Sequence, residues 1–289
     1  MLNKLVTVGV PTYNRPDQLT NCLNKLIEQT YPYLEILVSD NHSTNYDAIA
    51  LLEGFVRKDS RIRFIIQDQN IGGENNFNYL FNQAQGEYFI WLSDDDYFEN
   101  DYIEKCVEFL SLNKDYISCA GSSIYIAQNK KMFEEHGFSL DSNSGLLRVF
   151  NYFYKVGKNG IFYGVFKREA LEKSPLGNYI GSDWSLVANL AMKGKIKTLQ
   201  TVHMFRSLEG GSTNRNSMTR RWKLNKIQTL FFETYCAYKV SSNLFIRRNE
   251  KNLTQSFNKT VLKFVIFIFL NIKFFLRSIL RRLGYRFKN

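Results

Sequence analysis

Residues 86–96 read GEYFIWLSDDD, an apolar run that stops abruptly in three adjacent carboxylates at positions 94–96. The run at 88–92 is short and rich in aromatic side chains, which is typical of a strand buried on both faces. Its end predicts a dense negative charge at the rim of a parallel sheet. Because neighbouring carboxylates repel one another and resist burial, we expect a positive group beside them. Two hypotheses stay open: a site for Mg²⁺ or Mn²⁺, which prefer hard oxygen ligands, or a solvated acidic turn before a helix that begins near Asn100.

The residues on either side of this stretch alternate strand and helix patterns. Strands are predicted at Leu5–Val10, Leu34–Val38, Ile62–Ile66 and Tyr88–Leu92. Helices are predicted at Gln18–Gln29, Tyr46–Arg57, Asn75–Gln83 and Asp101–Leu110. This order predicts an α/β fold with a doubly wound, mostly parallel sheet and right-handed crossovers. The later residues are more mixed, with a strand predicted at Asn159–Phe166 and a helix from Gly181 to Met192.

Polar segments follow all four predicted strands of this sheet. They are PTYNR at 11–15, SDNHS at 39–43, QDQN at 67–70 and the acidic triplet at 94–96. In a doubly wound sheet, ligands bind at the carboxyl ends of the strands. These segments would bring carboxylates, amides and hydroxyls together on one rim of the sheet. That combination favours a pocket for a nucleotide and a metal over the alternative that the four segments are ordinary solvent-exposed turns. The absence of a P-loop or G-x-G-x-x-G motif counts against kinase-type and dinucleotide-binding proteins.

These motifs and their order resemble the family-2 glycosyltransferases, which have the GT-A fold. The matching segments are VGVPTYNR (8–15), VSDNHSTN (38–45), NIGGENN (70–76), AQGEYFIWLSDDD (84–96) and GSDWSLVANLAMKGKI (181–196). The sequence around LSDDD and SDW is similar to that of sugar transferases of bacterial surface-polysaccharide assembly, including abequosyltransferase-like members. The resemblance implies an enzyme that moves a sugar from a nucleotide-diphospho-sugar, most often UDP-linked, to a saccharide or lipid-linked saccharide.

The resemblance also assigns roles to individual residues. Those that would bind the nucleotide-sugar are Pro11, Thr12, Tyr13, Asn14, Asp40, Asn70 and Asp94. Those that would hold Mn²⁺ or Mg²⁺ are Asp95, Asp96 and His203. Asp183 would take the proton of the acceptor hydroxyl, a general-base contribution typically worth about 10²–10⁴-fold. One displacement with the base on the acceptor side inverts the anomeric configuration.

Several of these roles have a plainer structural alternative. Asp40, which would accept a hydrogen bond from the base, is also suited to forming a turn. Asp183 is also suited to capping the helix that follows it, and a lone histidine such as His203 is often structural. The family frequently has Asp at the position of Ser93, so the register of the acidic motif stays open.

Charge is distributed unevenly along the chain. The 289 residues carry a net charge of +11, but residues 251–289 hold nine Lys or Arg and no Asp or Glu, which leaves +2 for the rest. A near-neutral body with a basic tail predicts contact with a polyanionic surface.

The four cysteines form no C-x-x-C pair or Cys/His cluster, which fits reduced thiols in a cytoplasm. We expect no signal peptide, because the apolar run at 5–10 is short and is broken by Thr7 and Gly9.

The segment 257–283 combines aromatic, aliphatic and cationic side chains, and its longest uncharged run, 264–272, is too short to span a bilayer. On a helical wheel, the cations Lys273 and Arg277 share one face. The opposite face carries Ile272, Phe275 and Leu276. The pattern predicts an amphipathic helix in an anionic membrane interface, and hence a peripheral protein on the inner face of the cytoplasmic membrane. The alternatives are a helix packed on the core and a single membrane span.

These expectations give a two-part organisation and leave rival functions open. Residues 1–222 would form the glycosyltransferase domain, with a nucleotide-sugar half at about 1–125 and an acceptor half at 126–222. Residues 223–289 would form a helical region that ends in the basic tail.

One rival to the glycosyltransferase hypothesis is a sugar-nucleotide nucleotidyltransferase, which is expected to carry a glycine-rich triphosphate loop that PTYNRP lacks. The other is a non-enzymatic nucleic-acid-binding protein, but the tail is aliphatic as well as basic, so we expect no nucleic-acid partner.

Overall fold

Strand β4 (Tyr88–Trp91), which leads into the acidic triplet, lies near the middle of a mixed sheet. A computed structural model of the chain describes residues 3–128, 130–172, 174–209, 215–245 and 253–282. The other strands within these residues are β1 (Val6–Thr12), β2 (Leu34–Asp40), β3 (Ile62–Ile66), β5 (Tyr97–Phe98), β6 (Tyr116–Ala127), β7 (Lys130–Glu135), β8 (Val165–Lys167) and β9 (Lys195–Ser207). Their order is β3-β2-β1-β4-β8-β6-β9-β5, and β7 pairs with β6 at the side.

Helices connect the strands and cover both faces of the sheet. They are α1 (Pro16–Ile27), α2 (Ala48–Lys58), α3 (Gly73–Gln83), α4 (Tyr102–Leu112), α5 (Gly145–Lys155), α6 (Arg168–Leu171), α7 (Ser182–Lys193), α8 (Arg215–Arg221), α9 (Lys226–Leu230), α10 (Phe232–Ser242) and α11 (Leu253–Arg282). Strands β3, β2, β1 and β4 pair in parallel, and β6 pairs in parallel with β9. The predicted doubly wound, mostly parallel α/β fold is therefore confirmed.

The apolar side chains of β4 anchor the end of the strand that bears the acidic triplet. Phe89 and Trp91 are almost fully buried. The Trp91 ring stacks on Phe162 with centroids 5.2 Å apart, and its Nε1 donates to the Phe77 carbonyl at 3.0 Å. Because burying such a side chain is worth roughly 1.5–3 kcal/mol, this packing holds the following carboxylates in a defined place.

The structure differs from the prediction around residue 160. A strand was predicted at Asn159–Phe166, but a 3₁₀ helix occupies Gly160–Tyr163 and only Val165–Lys167 is strand. Asn159 has a left-handed backbone conformation with φ 56° and ψ 44°, which Asn tolerates better than most residues. Ile161, Phe162, Val165 and Phe166 are buried, but periodicity alone does not separate a short strand from a short helical turn.

Helix α11 packs on the rest of the protein through the face that carries Lys273 and Arg277, a choice that the helical wheel does not specify. Ile266 and Leu270 are buried in the core that α11 shares with α5, α7 and α10. Lys273 Nζ donates to the carbonyls of Phe153, Tyr154 and Val156 at 2.6, 3.0 and 2.8 Å, at the carboxyl end of α5. Burial lowers the pKa of Lys273 to about 7. The face with Lys273 and Arg277 therefore meets the protein, which fits the alternative of a helix packed on the core, and the membrane contact of this segment stays a prediction.

Part of the predicted basic tail, residues 251–252 and 283–289, lies outside the described residues, as do residues 246–250 before it. Among the helices that are described, none combines the length and apolarity needed to cross a membrane.

Candidate active site

A cleft of about 340 Å³ opens at the carboxyl ends of the parallel strands β1, β2 and β4. Its size falls within the roughly 300–1,000 Å³ of small-molecule sites. The residues predicted from the sequence that line it are Pro11, Thr12, Tyr13, Asn70, Asp94, Asp95 and Asp96. Adjacent parallel strands end at one edge of a sheet, so these distant segments meet there.

Arg15 bridges two of the three carboxylates. Its Nη1 lies 3.2 Å from Asp94 Oδ1 and 3.1 Å from Asp95 Oδ2. Thr12 Oγ1 donates to Asp94 Oδ2 at 2.8 Å, so both oxygens of this buried carboxylate have partners. Burial raises the pKa of Asp94 to about 6, against the opposing effects of Arg15 and Thr12. Arg15 is the positive group that the triplet led us to expect.

Asp96 faces away from Arg15 and towards β9. Its Oδ1 accepts a hydrogen bond from the Ser207 backbone N–H at 2.9 Å, and its Oδ2 lies 3.8 Å from Arg206 Nε. Burial raises the pKa of Asp96, and the neighbouring Arg206 opposes that shift. Asp96 thus ties the end of β9 to the triplet, and Asp95 is left as the carboxylate most available to a ligand.

The donor chemistry of the triplet fits a divalent cation. A guanidinium nitrogen already occupies the position between Asp94 and Asp95, which shows that these carboxylates hold a positive group. In the described part of the chain, Asp95 Oδ1 has no hydrogen bond or ion pair, and no three His, Cys, Asp or Glu side chains are arranged to bind a metal. Mg²⁺ sites commonly combine one or two carboxylates with substrate phosphates, so a cation here would need phosphate oxygens as well.

Two further guanidinium groups line the cleft. Arg206 Nη1 donates to Tyr125 Oη and to the Lys158 carbonyl, both at 2.8 Å, and its guanidinium lies 4.7 Å from the centre of the Tyr163 ring. Arg221 Nη2 lies 2.5 Å from Glu74 Oε1. With Arg15, these groups place three cations around the acidic triplet. Guanidinium groups are well suited to bind phosphate oxygens, which carry several negative charges close together.

Asp183 does not line the cleft, and Asn159 holds its carboxylate. Asn159 Nδ2 donates to Asp183 Oδ2 at 2.8 Å, and Tyr152 Oη donates to Asn159 Oδ1 at 2.8 Å. Asp183 is half-buried in the first turn of α7, where the helix dipole favours a negative charge. Burial raises the pKa of Asp183, whereas the Asn159 hydrogen bond and the positive charge of Arg206 lower it. Arg206 links the two regions, because it lines the cleft and binds the carbonyl of the residue before Asn159.

Asp40 and Asn14 hold the loops of the cleft together. Asp40 is fully buried; its Oδ1 accepts from the Ser43 N–H at 2.7 Å, and its Oδ2 accepts from Ser43 Oγ and Tyr46 Oη at 2.6 and 2.8 Å. Asn14 Oδ1 accepts from the Thr44 N–H at 2.8 Å. These contacts match the turn-forming alternative, and neither side chain lines the cleft, where Asn41 lies instead. The base contact of Asp40 and the nucleotide contact of Asn14 stay predictions.

The imidazole of His203 contacts two glutamates. Its Nδ1 lies 3.0 Å from Glu99 Oε2, and its Nε2 lies 3.4 Å from Glu134 Oε1. The structure does not bring this ring into the lining of the cleft. A role for His203 as a metal ligand stays a prediction.

The sequence assigned no site role to nine of the seventeen lining residues, and for Arg206 it left a diphosphate contact and a surface role equally open. The nine are Arg15, Asn41, Gly73, Asn76, Phe77, Ser93, Tyr163, Ser207 and Arg221. Arg15 could have been found, since it follows Tyr13 in the same polar segment and a positive group was expected. Tyr163 and Ser207 could not, because they reach the cleft through pairings of β8 and β9 that no local pattern specifies.

The model of Glycosyl transferase family 2 matches residues 7–174, more than half of the chain. The chain belongs to glycosyltransferase family 2. The matched residues include four of the five segments that carried the resemblance, and the segment at 181–196 follows them. Membership in this enzyme family favours the glycosyltransferase hypothesis over the nucleotidyltransferase and nucleic-acid-binding rivals.

Individual relatives are similar to this family-2 glycosyltransferase over part of their length. GalNAc(5)-diNAcBac-PP-undecaprenol beta-1,3-glucosyltransferase of Campylobacter jejuni is 27% identical over 187 residues, which cover 64% of this chain and 59% of that protein. An uncharacterized glycosyltransferase of Haemophilus influenzae is 34% identical over 127 residues, which cover 44% of this chain and 39% of that protein. The chain thus spans from 39% to 59% of the length of these two relatives.

Solved structures share the fold at low identity. S. aureus TarS 1–349 in complex with UDP-GlcNAc has a TM-score of 0.63 at 16% identity, covering 86% of this chain and 68% of that one. The mannosyltransferase PcManGT from Pyrobaculum calidifontis, in complex with GDP-Man and Mn²⁺, has a TM-score of 0.56 at 17% identity, covering 84% and 73%. These likenesses agree with the predicted GT-A fold.

Proposed function

We propose that the chain is an inverting, metal-dependent glycosyltransferase that moves a sugar from a UDP-linked donor to a saccharide of a bacterial cell-surface polysaccharide. The observation that carries the proposal is the cleft in which the carboxylates of Asp94 and Asp95 face Arg15, with Arg206 and Arg221 in the same lining. A nucleotide-diphospho-sugar needs a site that binds and neutralises a diphosphate beside a place for the base, and this cleft offers both.

The donor would lie along the strand ends. Tyr13, which is 43% exposed at the cleft, offers a ring on which a base can stack, and Asn41 and Asn70 offer amide groups. Mn²⁺ or Mg²⁺ held by Asp95, with Asp94 beside it, would act as a Lewis acid on the departing nucleoside diphosphate. Arg206 and Arg221 would stabilise the negative charge that develops on the same leaving group.

The acceptor would approach from the side of Asp183. The Asp183 carboxylate would take the proton of the acceptor hydroxyl while that oxygen forms a bond to the anomeric carbon and the bond to the nucleoside diphosphate breaks. Attack and departure on opposite faces invert the anomeric configuration. Within this scheme, residues 1–222 would form the catalytic domain, with the nucleotide-sugar half ending near residue 125. Residues 223–289 would form a second region, whose described parts, 223–245 and 253–282, are largely helical.

The names of similar proteins support the class of donor and acceptor. The Campylobacter jejuni relative is named for a glucosyl transfer involving a PP-undecaprenol saccharide, the TarS complex contains UDP-GlcNAc, and the PcManGT complex contains Mn²⁺. We propose a lipid-linked saccharide as the acceptor for this chain. We also propose that the enzyme acts on the cytoplasmic face of an anionic membrane, which a lipid-linked acceptor and the nine cations of residues 251–289 support.

A donor screen tests the proposed function. The purified chain is incubated with UDP-, GDP-, CDP- and dTDP-linked sugars, with Mn²⁺, with Mg²⁺ or with EDTA, and released nucleoside diphosphate is measured. We expect release from one UDP-sugar that depends on the divalent cation. Release that is equal with EDTA would exclude metal dependence, and release from none of the donors would count against the whole proposal.

Replacing Asn159 should shift the pH dependence of transfer. The amide of Asn159 lowers the pKa of Asp183, which burial raises, so Asn159→Gly is expected to raise that pKa. A base works in its ionised form, and activity is lost as the pH falls through its pKa. The acid limb of kcat/KM for the acceptor should therefore move to higher pH. Glycine suits the left-handed conformation of residue 159, so the backbone is retained.

The control for this experiment is Tyr152→Phe, which removes the hydrogen bond to Asn159 Oδ1 but leaves the amide against Asp183. We expect a smaller shift of the acid limb in the same direction. The other groups near Asp183 that titrate or carry charge are Arg206 and Tyr179, and both are unchanged in these variants. An acid limb that stays in place in Asn159→Gly would show that Asn159 does not tune the base.

A further inference from the structure

The outward face of α11 is apolar between residues 261 and 276. Large side chains that are 43–65% exposed recur there at spacings of three, four and seven residues, which puts them on one side of the helix. They include Val261, Phe264, Ile268, Ile272, Phe275 and Leu276, and Phe264 and Phe275 are 63% and 65% exposed. Isolated exposed apolar residues are ordinary, but a continuous stripe of this length marks an interaction site.

Three cations of the same helix, Lys263, Lys273 and Arg277, face the opposite way. Lys263 Nζ donates to the Ser242 carbonyl at 3.2 Å, and Lys273 and Arg277 bind carbonyls at the carboxyl end of α5. A cation at the carboxyl end of a helix interacts favourably with the exposed carbonyls and the helix dipole. These contacts fix the rotation of α11, so its apolar face cannot turn inward without leaving Lys273 without its three acceptors.

Helix α5 extends the same apolar surface. Leu146, Leu147, Phe150 and Tyr154 are 40–63% exposed, and their spacing places them on one side of α5. The rings of Phe150 and Tyr154 lie 5.7 and 6.3 Å from Phe269 of α11, which joins the two stripes into one face. We call this surface the α5–α11 face.

We propose that the α5–α11 face docks in the plane of an anionic lipid bilayer, with the apolar side chains in the interface and both helices parallel to the surface. Six of the nine cations of residues 251–289 flank the apolar stripe in the sequence, at positions 251, 259, 281, 282, 286 and 288, and this segment holds no anion. A bilayer with anionic headgroups complements both the apolar face and the flanking charge. A second copy docked here would bring a second segment of the same charge, which disfavours that occupant.

Docking through this face would place the acceptor side of the enzyme at the membrane. Phe274 of α11 lies 5.8 Å from the ring of Trp184, the residue next to Asp183, and α5 leads into Asn159, which binds Asp183. A saccharide on a membrane lipid would therefore reach the base without crossing the donor cleft. This inference rests on the membrane partner proposed above and adds which surface makes the contact.

Vesicle flotation with the full chain tests the proposal. Vesicles of phosphatidylglycerol and phosphatidylcholine are compared with vesicles of phosphatidylcholine alone. We expect binding to the anionic vesicles that weakens at high salt but is not abolished. We expect Phe264→Asp/Phe275→Asp to lower the partition coefficient at least about tenfold, and Leu147→Asp/Tyr154→Asp to lower it as well, because each removes apolar side chains from the docked face.

The matched control is Leu112→Asp/Met132→Asp, which adds the same two charges at exposed apolar positions on α4 and β7. Its binding should equal that of the unmodified chain. The proposal is overturned if the unmodified chain does not bind anionic vesicles, or if all three variants lose vesicle binding equally. If Leu147→Asp/Tyr154→Asp binds vesicles normally, α5 is not part of the docked face. If the unmodified chain forms a dimer, and Phe264→Asp/Phe275→Asp dissociates that dimer without changing vesicle binding, the occupant of the face is a second copy of the chain.

UDP binding and transfer to a water-soluble acceptor are measured in parallel and should be unchanged in every variant. If the unmodified chain binds vesicles but neither binds UDP nor transfers sugar, the proposed function fails while the docking face stands. If UDP binding and transfer are normal and vesicles are not bound, only the docking proposal fails.

Discussion

Asp95→Asn is expected to lower metal-dependent sugar transfer at least about 10³-fold while the fold remains intact. Asp95 is the carboxylate of the triplet with an oxygen left for a ligand, since its Oδ2 alone pairs with Arg15 at 3.1 Å. Neutralising it removes one of the charges that would hold the cation and the diphosphate. The fold should tolerate the change, because removing one of three adjacent like charges relieves their repulsion.

The measurement combines transfer rate, thermal unfolding and Mn²⁺ titration of the UDP complex. The matched control is Asp115→Asn, which neutralises an exposed carboxylate that pairs with Lys195 and lies outside the cleft. We expect the control to retain activity and Mn²⁺ dependence, and Asp95→Asn to lose both with a similar melting temperature. Full activity of a folded Asp95→Asn protein, with unchanged Mn²⁺ dependence, would falsify the assignment of Asp95.

The strands and helices of residues 1–112 were predicted well because their organisation is local. The apolar run at 88–92 became β4 at Tyr88–Trp91, and the polar segment at 11–15 follows β1 into the cleft. Once the strands alternate with helices, right-handed parallel connections bring their carboxyl ends to one edge. The meeting of Thr12 with Asp94 across 82 positions follows from that topology rather than from any motif.

The structure of residues 126–222 and the packing of the C-terminal helix depend on contacts between distant segments, which a single sequence does not specify. A helical wheel separates Lys273 and Arg277 from Phe275 and Leu276, but it does not say which side faces the protein. The side is decided by the carboxyl end of α5, about 120 residues earlier, where Val156 and its neighbours present carbonyls that a buried cation satisfies. The same limit applies to His203, whose partners Glu99 and Glu134 lie on other elements.

The role of Asp183 can be separated from a capping role by magnitude. Asp183 lies in the first turn of α7, where a negative charge stabilises a helix by about 0.3–1 kcal/mol. A purely structural loss of that size would lower the melting temperature slightly and leave the rate of the folded protein unchanged. A general base contributes about 10²–10⁴-fold to the rate. The two roles therefore predict different results for one variant.

Asp183→Asn is expected to lower transfer to the acceptor at least about 10²-fold while UDP still binds. The asparagine keeps an oxygen to accept the Asn159 hydrogen bond, so the local geometry is retained, but it cannot take a proton from the acceptor hydroxyl. Calorimetry with UDP and Mn²⁺ measures donor-site binding, and a transfer assay measures the rate at saturating donor. The matched control Asp17→Asn neutralises an exposed acidic residue in the first turn of α1 and should behave like the unmodified chain. Nearly normal transfer by Asp183→Asn would make Asp183 a helix-terminal residue only, and the base would then have to be sought among the other side chains around Asn159.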